Sequence, residues 1–99
     1  MPKVKISDDA KADLIRIEEY LVNKWNEKVA DDFYLKLIDA IDILENTNVV
    51  FERYENTRFR KLLLTKHNSV IYDINEELIT IVRILQNFQN PEDNYESLK

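Results

Sequence analysis

Three runs of β-forming residues occupy the second half of the chain, and they constrain its fold more than any other feature. The runs cover 58–64, 68–74 and 78–85, and they are rich in Ile, Leu and Val. Short polar breaks near residues 66 and 76 separate them, a spacing typical of hairpin turns. The pattern therefore predicts an antiparallel β-meander.

Two amphipathic helices are predicted in front of the meander. Ser7 is a suitable N-cap, and apolar residues recur at helical spacing from Ala10 to Trp25, which predicts a first helix over about 8–24. Asn26 can cap a second helix that ends at the polar stretch 46–48. Because the link is very short, the helices should form an antiparallel hairpin that buries its apolar stripe against the meander.

The predicted fold class is α+β, with the helix hairpin packed on a three- to four-stranded antiparallel sheet. A short alternating run at 4–6 predicts a first strand that joins the sheet. We expect one domain over 1–99, of which 86–99 forms a polar C-terminal tail. The helical spacing of four aromatic residues favours packing in the core and the hairpin over a base-stacking platform: Tyr20, Trp25, Phe33 and Tyr34.

Composition excludes several classes of protein. The chain has no cysteine, which excludes disulfides, thiolate metal sites and cysteine nucleophiles. It has no glycine, which argues against phosphate-binding loops and the nucleophile elbow of α/β-hydrolases. No run approaches the roughly 20 apolar residues that span a bilayer. We therefore expect a cytoplasmic protein with no cofactor, no metal and no membrane contact.

A local cationic patch stands out in a chain whose formal net charge is −5. Between Arg53 and His67 there are five cations against one anion, so an anionic ligand would bind there. Four candidate binding residues lie in or near the strands: Arg58, Arg60, Lys61 and Arg83. Two readings of Arg83 are open, since it could anchor a functional surface or pair with Asp73 or Glu77. Arg58 and Arg60 should share one strand face by the two-residue period, which suits a ligand or an edge charged against aggregation.

The order of elements resembles the RelE/ParE superfamily of type II toxins. The likeness covers almost the whole chain, and its motifs are the Arg-x-Arg run at 58–60, the Val70-Ile71-Tyr72 strand, Ile81-Val82-Arg83-Ile84-Leu85, and Asn90-Pro91-Glu92. The resemblance implies a toxin encoded beside an antitoxin, whose flexible segment folds over the toxin and blocks it. It also implies a homodimer or a toxin–antitoxin hetero-oligomer as possible assemblies.

The resemblance implies one of two activities. RelE-like members cut messenger RNA on the ribosome with cations on the central strands, and in that case Arg60, Arg83 and Tyr95 would be the catalytic residues. ParE-like members poison DNA gyrase and lack that cationic set. A third reading is a non-toxic interaction protein of the same fold.

Several positions favour the ParE-like reading. Leu62 and Ser69 stand where the cleaving pattern has basic residues, and Gln86 and Gln89 stand where related sequences often have histidine and arginine. Cutting at a 2′-hydroxyl needs a base, and arginine stays protonated near neutral pH. The acidic net charge also disfavours binding to ribosomal RNA. Together with these positions, the resemblance therefore implies a growth-inhibiting toxin of a plasmid-stabilisation type that acts on gyrase, with mRNA cleavage as the alternative.

Overall fold

The computed structural model describes residues 2–47 and 49–86, which form two helices and one four-stranded sheet. The elements in chain order are β1 (Lys3–Ile6), α1 (Asp8–Lys24), α2 (Glu27–Asn46), β2 (Arg60–Thr65), β3 (Asn68–Asn75) and β4 (Leu78–Gln86). The predicted α+β class, the helix hairpin and the meander are confirmed. Gln86, the first residue of the predicted tail, instead ends β4, and residues 87–99, with the rest of the predicted tail and Tyr95, lie outside the described residues.

Both helices begin at the caps that the sequence predicts. The Ser7 hydroxyl accepts a hydrogen bond from the Ala10 backbone N–H at 3.1 Å, and the Asn26 side chain accepts one from Val29 N–H at 3.0 Å. These bonds satisfy backbone donors that have no partner within the helix. The Ser7 hydroxyl also donates to the Val82 carbonyl at 3.0 Å, so the cap fixes the start of α1 against β4.

The last strand lies inside the sheet, whose order is β1-β4-β3-β2. β3 pairs antiparallel with β2 and with β4, as predicted for a meander. β1 pairs with β4 in parallel, from Lys3 opposite Leu78 to Ile6 opposite Ile81. The sheet is therefore mixed and not wholly antiparallel as predicted. The connection from β1 to β4 runs through both helices and the β2–β3 hairpin, and it brings the two strands together in the same direction.

The helix hairpin covers one face of the sheet and forms the main core. This core joins α1 and α2 to inward side chains of all three meander strands: Ala10, Ile17, Phe33, Leu37, Ala40, Leu44, Leu62, Val70, Tyr72, Ile79, Ile81 and Ile84. The opposite face, which we call the open face, carries a smaller cluster of Tyr54, Ile71 and Leu85, packed against Phe59 and Val82. Alternation along β3 sends Ile71 to the open face and its neighbours to the helices.

The predicted placement of the aromatic residues is partly wrong. Phe33 is buried as expected, but Trp25 is 65% exposed and Tyr20 is 37% exposed. Trp25 is the C-cap of α1, with non-helical backbone angles, so the spacing of the helix no longer determines where its side chain points. Tyr34 is half-buried and donates a hydrogen bond to Glu18, which links the two helices.

In residues 2–47 and 49–86, neither helix is long and apolar enough to cross a membrane.

Candidate functional site

Arg83 on β4 is held by a carboxylate from α1. Its Nε donates to Asp13 Oδ2 at 2.8 Å and its Nη2 donates to Asp13 Oδ1 at 3.1 Å, which is a bidentate pair. The predicted alternative partners, Asp73 and Glu77, are therefore wrong, because the acid that pairs with Arg83 comes from α1. The Arg83 side chain remains 25% exposed.

Asp13 also completes the backbone hydrogen bonding of β4. Its Oδ2 accepts from the Ile84 N–H at 2.9 Å, and it forms an ion pair with Arg16. β1 runs along β4 only as far as Ile81, so the carboxylate supplies the acceptor that the next strand would have supplied. Asp13 is 1% exposed, and the cluster therefore ties α1 to the sheet.

The pKa values in this cluster follow from the pairing. Burial would raise the pKa of Asp13, but hydrogen bonds from Arg83, the Ile84 N–H and Arg16 outweigh it and hold that pKa below its ordinary value. The hydrogen bond to Asp13 raises the pKa of Arg83, against the opposing effect of burial. Both groups are therefore charged near neutral pH.

Arg60 on β2 is engaged with the segment that leads into the sheet. Its Nη1 donates to the Phe51 carbonyl at 3.1 Å, while the Tyr72 hydroxyl accepts from the Phe51 N–H at 3.2 Å. Arg60 lies opposite Tyr72 in the β2–β3 register and so shares the helix-covered face with it. Arg60 therefore helps to fix the segment before β2 over the edge of the core.

Arg58 and Lys61 contact the aromatic side chains of the open face. Arg58 forms an ion pair with Asp73 at 3.2 Å and lies 5.4 Å from the centre of the Phe59 ring. The Lys61 ammonium lies 5.9 Å from the centre of the Tyr54 ring. These distances suit cation–π attraction, although at such exposed positions it is weak.

The four predicted binding residues do not lie together in the structure, because some are beside the open face and others are bound on the helix-covered side. Lys61 lies opposite Ile71 in the β2–β3 register, so its side chain projects from the open face. Arg58 lies beside the same face through its contacts with Asp73 and Phe59. Arg83 instead binds Asp13 on α1, in the helix layer that covers the other face. Arg60 shares the helix-covered face with Tyr72, so Arg58 and Arg60 do not have common partners.

Two tyrosines in the described part of the chain hold their phenolic protons more tightly than usual. Burial, followed by the hydrogen bond to Glu18, raises the pKa of Tyr34 to about 12. Burial also raises the pKa of Tyr72, so both phenols stay protonated near neutral pH. In the part of the chain that the structure describes, no group of three or more His, Asp or Glu side chains could hold a metal ion.

The sequence reasoning missed two features of the molecule. The first is Asp13, and the signal for it was an acid between Ala10 and Ile17 in the apolar stripe of α1. The second is an apolar groove of about 640 Å³ between the α1–α2 link and the β2–β3 turn. Its lining residues are Tyr20, Leu21, Trp25, Val29, Asp32, Phe33, Lys36, Thr65, His67, Asn68 and Gln86.

Several solved structures share this fold. A chromosomal ParDE toxin–antitoxin system from P. aeruginosa superimposes with a TM-score of 0.75 at 21% identity, covering 87% of this chain and 96% of the other. YafQ from E. coli superimposes with a TM-score of 0.60 at 14% identity, covering 89% and 96%. A copper-bound mutant toxin from Helicobacter pylori gives 0.59 at 13% identity, covering 90% and 98%.

The sequence itself identifies the family. No curated protein sequence matches the chain significantly. The family model described as the ParE toxin of the type II toxin–antitoxin system parDE, however, matches residues 4–91. That match begins within β1 and includes all of α1, α2, β2, β3 and β4, and with them Asp13, Arg60 and Arg83. The chain therefore belongs to the ParE toxin family of type II toxin–antitoxin systems.

Proposed function

We propose that this chain inhibits growth by poisoning DNA gyrase in the cytoplasm and that a cognate antitoxin neutralises it. The observation that carries the proposal is the engagement of the strand arginines within the fold. Arg83 is bound by Asp13, and Arg60 is bound to the Phe51 carbonyl. Arginines committed to such partners are poorly placed to stabilise a phosphorane, which favours a toxin that needs no catalytic residue of its own.

Two further positions support this preference over RNA cleavage. Leu62 and Ser69 occupy positions where cleaving relatives are expected to carry basic residues. Leu62 is 5% exposed in the main core and Ser69 is fully buried in β3. Neither side chain could contact a phosphate without opening the sheet, so these two positions supply no cation for RNA.

The open face is the proposed contact surface for the target. Arg58 and Lys61 supply cations there, and Leu63, two residues after Lys61 on β2, is 60% exposed. A cationic rim around an exposed aliphatic side chain is suited to a protein partner, because the apolar contact supplies affinity and the charges supply orientation. An antitoxin segment that covers the same face would block the target.

Purified components test the target directly. The chain is incubated with gyrase, ATP and plasmid DNA, and DNA cleavage is read on a gel after protein denaturation. We expect gyrase-dependent double-strand breaks that disappear when the cognate antitoxin is added. In parallel, mRNA is translated on ribosomes with the same chain. Codon-linked mRNA cuts without DNA breaks would overturn the gyrase assignment and establish the endoribonuclease alternative.

A pair of variants tests the contact surface. Lys61→Ala combined with Leu63→Ser should weaken gyrase poisoning at least tenfold, because both side chains project from the open face without filling the core. The matched control is Lys36→Ala combined with Val50→Ser, which removes one cation and one exposed aliphatic residue elsewhere. Equal loss in both double variants, or in neither, would place the contact surface away from β2.

A further inference from the structure

The outer side of the helix hairpin, which points away from the sheet, exposes three large aliphatic side chains. Ile15 on α1 is 60% exposed, and Leu35 and Ile38 on α2 are 60% and 59% exposed. None of the three belongs to the main core or to the cluster of the open face. A single exposed aliphatic residue is ordinary, whereas several on one side of a molecule indicate a contact surface. We call the surface that these three residues define the hairpin face.

A hydrogen bond between the helices shows which of these residues lie close together. The Tyr34 hydroxyl donates to the Glu18 carboxylate, so these two residues stand at the same level of the antiparallel hairpin. Ile15 precedes Glu18 by three residues, and Ile38 follows Tyr34 by four. Residues three and four apart share one side of a helix, so Ile15 and Ile38 lie side by side, one turn beyond the hydrogen bond. Leu35 follows Tyr34 directly and extends the aliphatic surface on α2.

Two opposite charges continue the same rows by one further turn. Lys11 precedes Ile15 by four residues on α1, and Asp42 follows Ile38 by four on α2. Both charged side chains are exposed, and the ion pairs among the described residues include neither of them. Asp42 accepts a hydrogen bond from the Asn46 side chain at 2.6 Å, which leaves its charge in place. The hairpin face therefore carries a cation on α1 and an anion on α2 at the same level.

A face with this arrangement is complementary to a second copy of itself. A two-fold axis parallel to the helices places α1 of one copy on α2 of the other at the same level. Ile15 then meets Ile38 of the second copy, Lys11 meets Asp42 of the second copy, and symmetry makes each contact twice. We propose that this protein forms a dimer through the hairpin face, with these two rows in contact.

The area of the hairpin face determines how strong the association is. α1 has 17 residues and α2 has 20, so the hairpin is about 25–30 Å long and about 20 Å wide. Its outer side offers about 500–600 Å² per copy, whereas a stable dimer buries about 800 Å² per partner. The net charge of −5 on each copy also opposes association, although salt at about 0.15 M screens charges more than about 8 Å apart. We therefore expect a weak dimer with a dissociation constant on the order of 100 µM.

The dimer leaves the proposed contact surface for the target accessible. The open face and the hairpin face lie on opposite sides of the molecule, with the sheet and the helices between them. Two open faces therefore point away from each other in the dimer. Such an assembly can contact two target sites at once, which raises the apparent affinity without any new contact at either site.

Sedimentation equilibrium of the full chain tests the self-association. Between about 20 µM and about 1 mM protein in about 0.15 M salt, we expect the average mass to rise from 11.9 kDa towards twice that value. Ile15→Ser combined with Ile38→Ser should weaken the association at least about tenfold, because the dimer covers both side chains. The matched control is Val49→Ser combined with Val50→Ser, which removes two exposed aliphatic side chains elsewhere.

Charge reversal tests which rows meet. Lys11→Glu alone brings two anions together in the dimer, and Asp42→Lys alone brings two cations together. Each variant alone should therefore associate about tenfold more weakly than the native chain, because symmetry counts each repulsive contact twice. An equimolar mixture of the two variants restores both opposite-charge contacts between unlike chains, so it should associate about as tightly as the native chain. No contact within a single chain can produce this recovery.

Three outcomes would overturn the proposal. They are a mass of 11.9 kDa at every concentration, equal association of the two serine double variants, and a mixture of charge variants that is no heavier than either variant alone. Every substituted side chain is exposed in the single chain, so the variants should fold as the native chain does, and circular dichroism checks this. None of these measurements involves gyrase or mRNA, so their failure is separate from failure of the proposed function.

Discussion

Replacing Asp13 with alanine should destabilise the fold more than any other single removal of a charge. The substitution leaves the Ile84 N–H without its acceptor, at a cost of about 1–3 kcal/mol for a buried donor. It also removes the counter-ion of Arg83, whose side chain is 25% exposed, so that water compensates only in part and about 1 kcal/mol more is lost. The expected total is about 2–4 kcal/mol.

This loss is large compared with the stability of a small domain, which is typically about 5–15 kcal/mol. For a chain of this length the melting temperature should fall by something on the order of 15 °C. Urea unfolding followed by far-ultraviolet circular dichroism measures the free energy. Glu19→Ala is the matched control, because it removes an exposed acid from the same helix and should change stability by less than about 0.5 kcal/mol.

Intermediate substitutions separate the two contributions. Asp13→Asn retains an oxygen that can accept from the Ile84 N–H but removes the charge, so it should cost about half as much as the alanine substitution. Arg83→Met should leave the Asp13 carboxylate with Arg16 and the Ile84 N–H and cost about 1–3 kcal/mol. If Asp13→Ala were no more destabilising than Glu19→Ala, the assigned role of the cluster in joining α1 to β4 would be refuted.

Three further predictions follow from other contacts. Because the folded-state pKa of Asp13 lies below its ordinary value, its contribution is fully present above about pH 4 and is lost as pH falls through the lower folded value. Urea midpoints of the native chain should therefore fall more steeply below pH 4 than those of Asp13→Asn, and parallel profiles would contradict this. Tyr72→Phe should cost about 1 kcal/mol, because the Phe51 N–H loses its acceptor, and faster amide exchange at Phe51 should accompany the loss. Glu76→Gly should stabilise the chain by about 0.5–1 kcal/mol in thermal unfolding, because Glu76 has φ 56° at the first position of a two-residue hairpin turn, whereas Glu77→Gly should destabilise it.

Local signals explain why the elements were predictable. Ser7 and Asn26 are the caps that the sequence indicates, and α1 ends at Lys24 as predicted. The β-branched runs predicted the three meander strands to within about two residues, because turn residues interrupt each run on both sides. These features depend on neighbours a few residues apart, which sequence patterns record well.

The site was less predictable because its partners are distant in sequence. Asp13 and Arg83 are 70 residues apart, and only the parallel docking of β1 beside β4 brings them together. The two-residue period placed Arg58 and Arg60 on one face, but β2 begins at Arg60, so the period does not extend to Arg58. Among the described residues, Glu55 and Glu76 adopt positive φ, although glutamate does not favour that conformation. Which strands pair, and in which register, determines the partners and backbone conformations at such positions. A single sequence does not show that pairing.

The inner position of β4 determines when the sheet can form during synthesis of the chain. β4 pairs with both β1 and β3, and Lys3 meets Leu78 across 75 positions of the chain. A growing polypeptide can form its helix hairpin early, but it cannot close the sheet until residue 86 has left the ribosome. Such long-range closure is slow relative to local helix formation. The open face, and with it the proposed contact surface for the target, is therefore complete only after β4 has been synthesised.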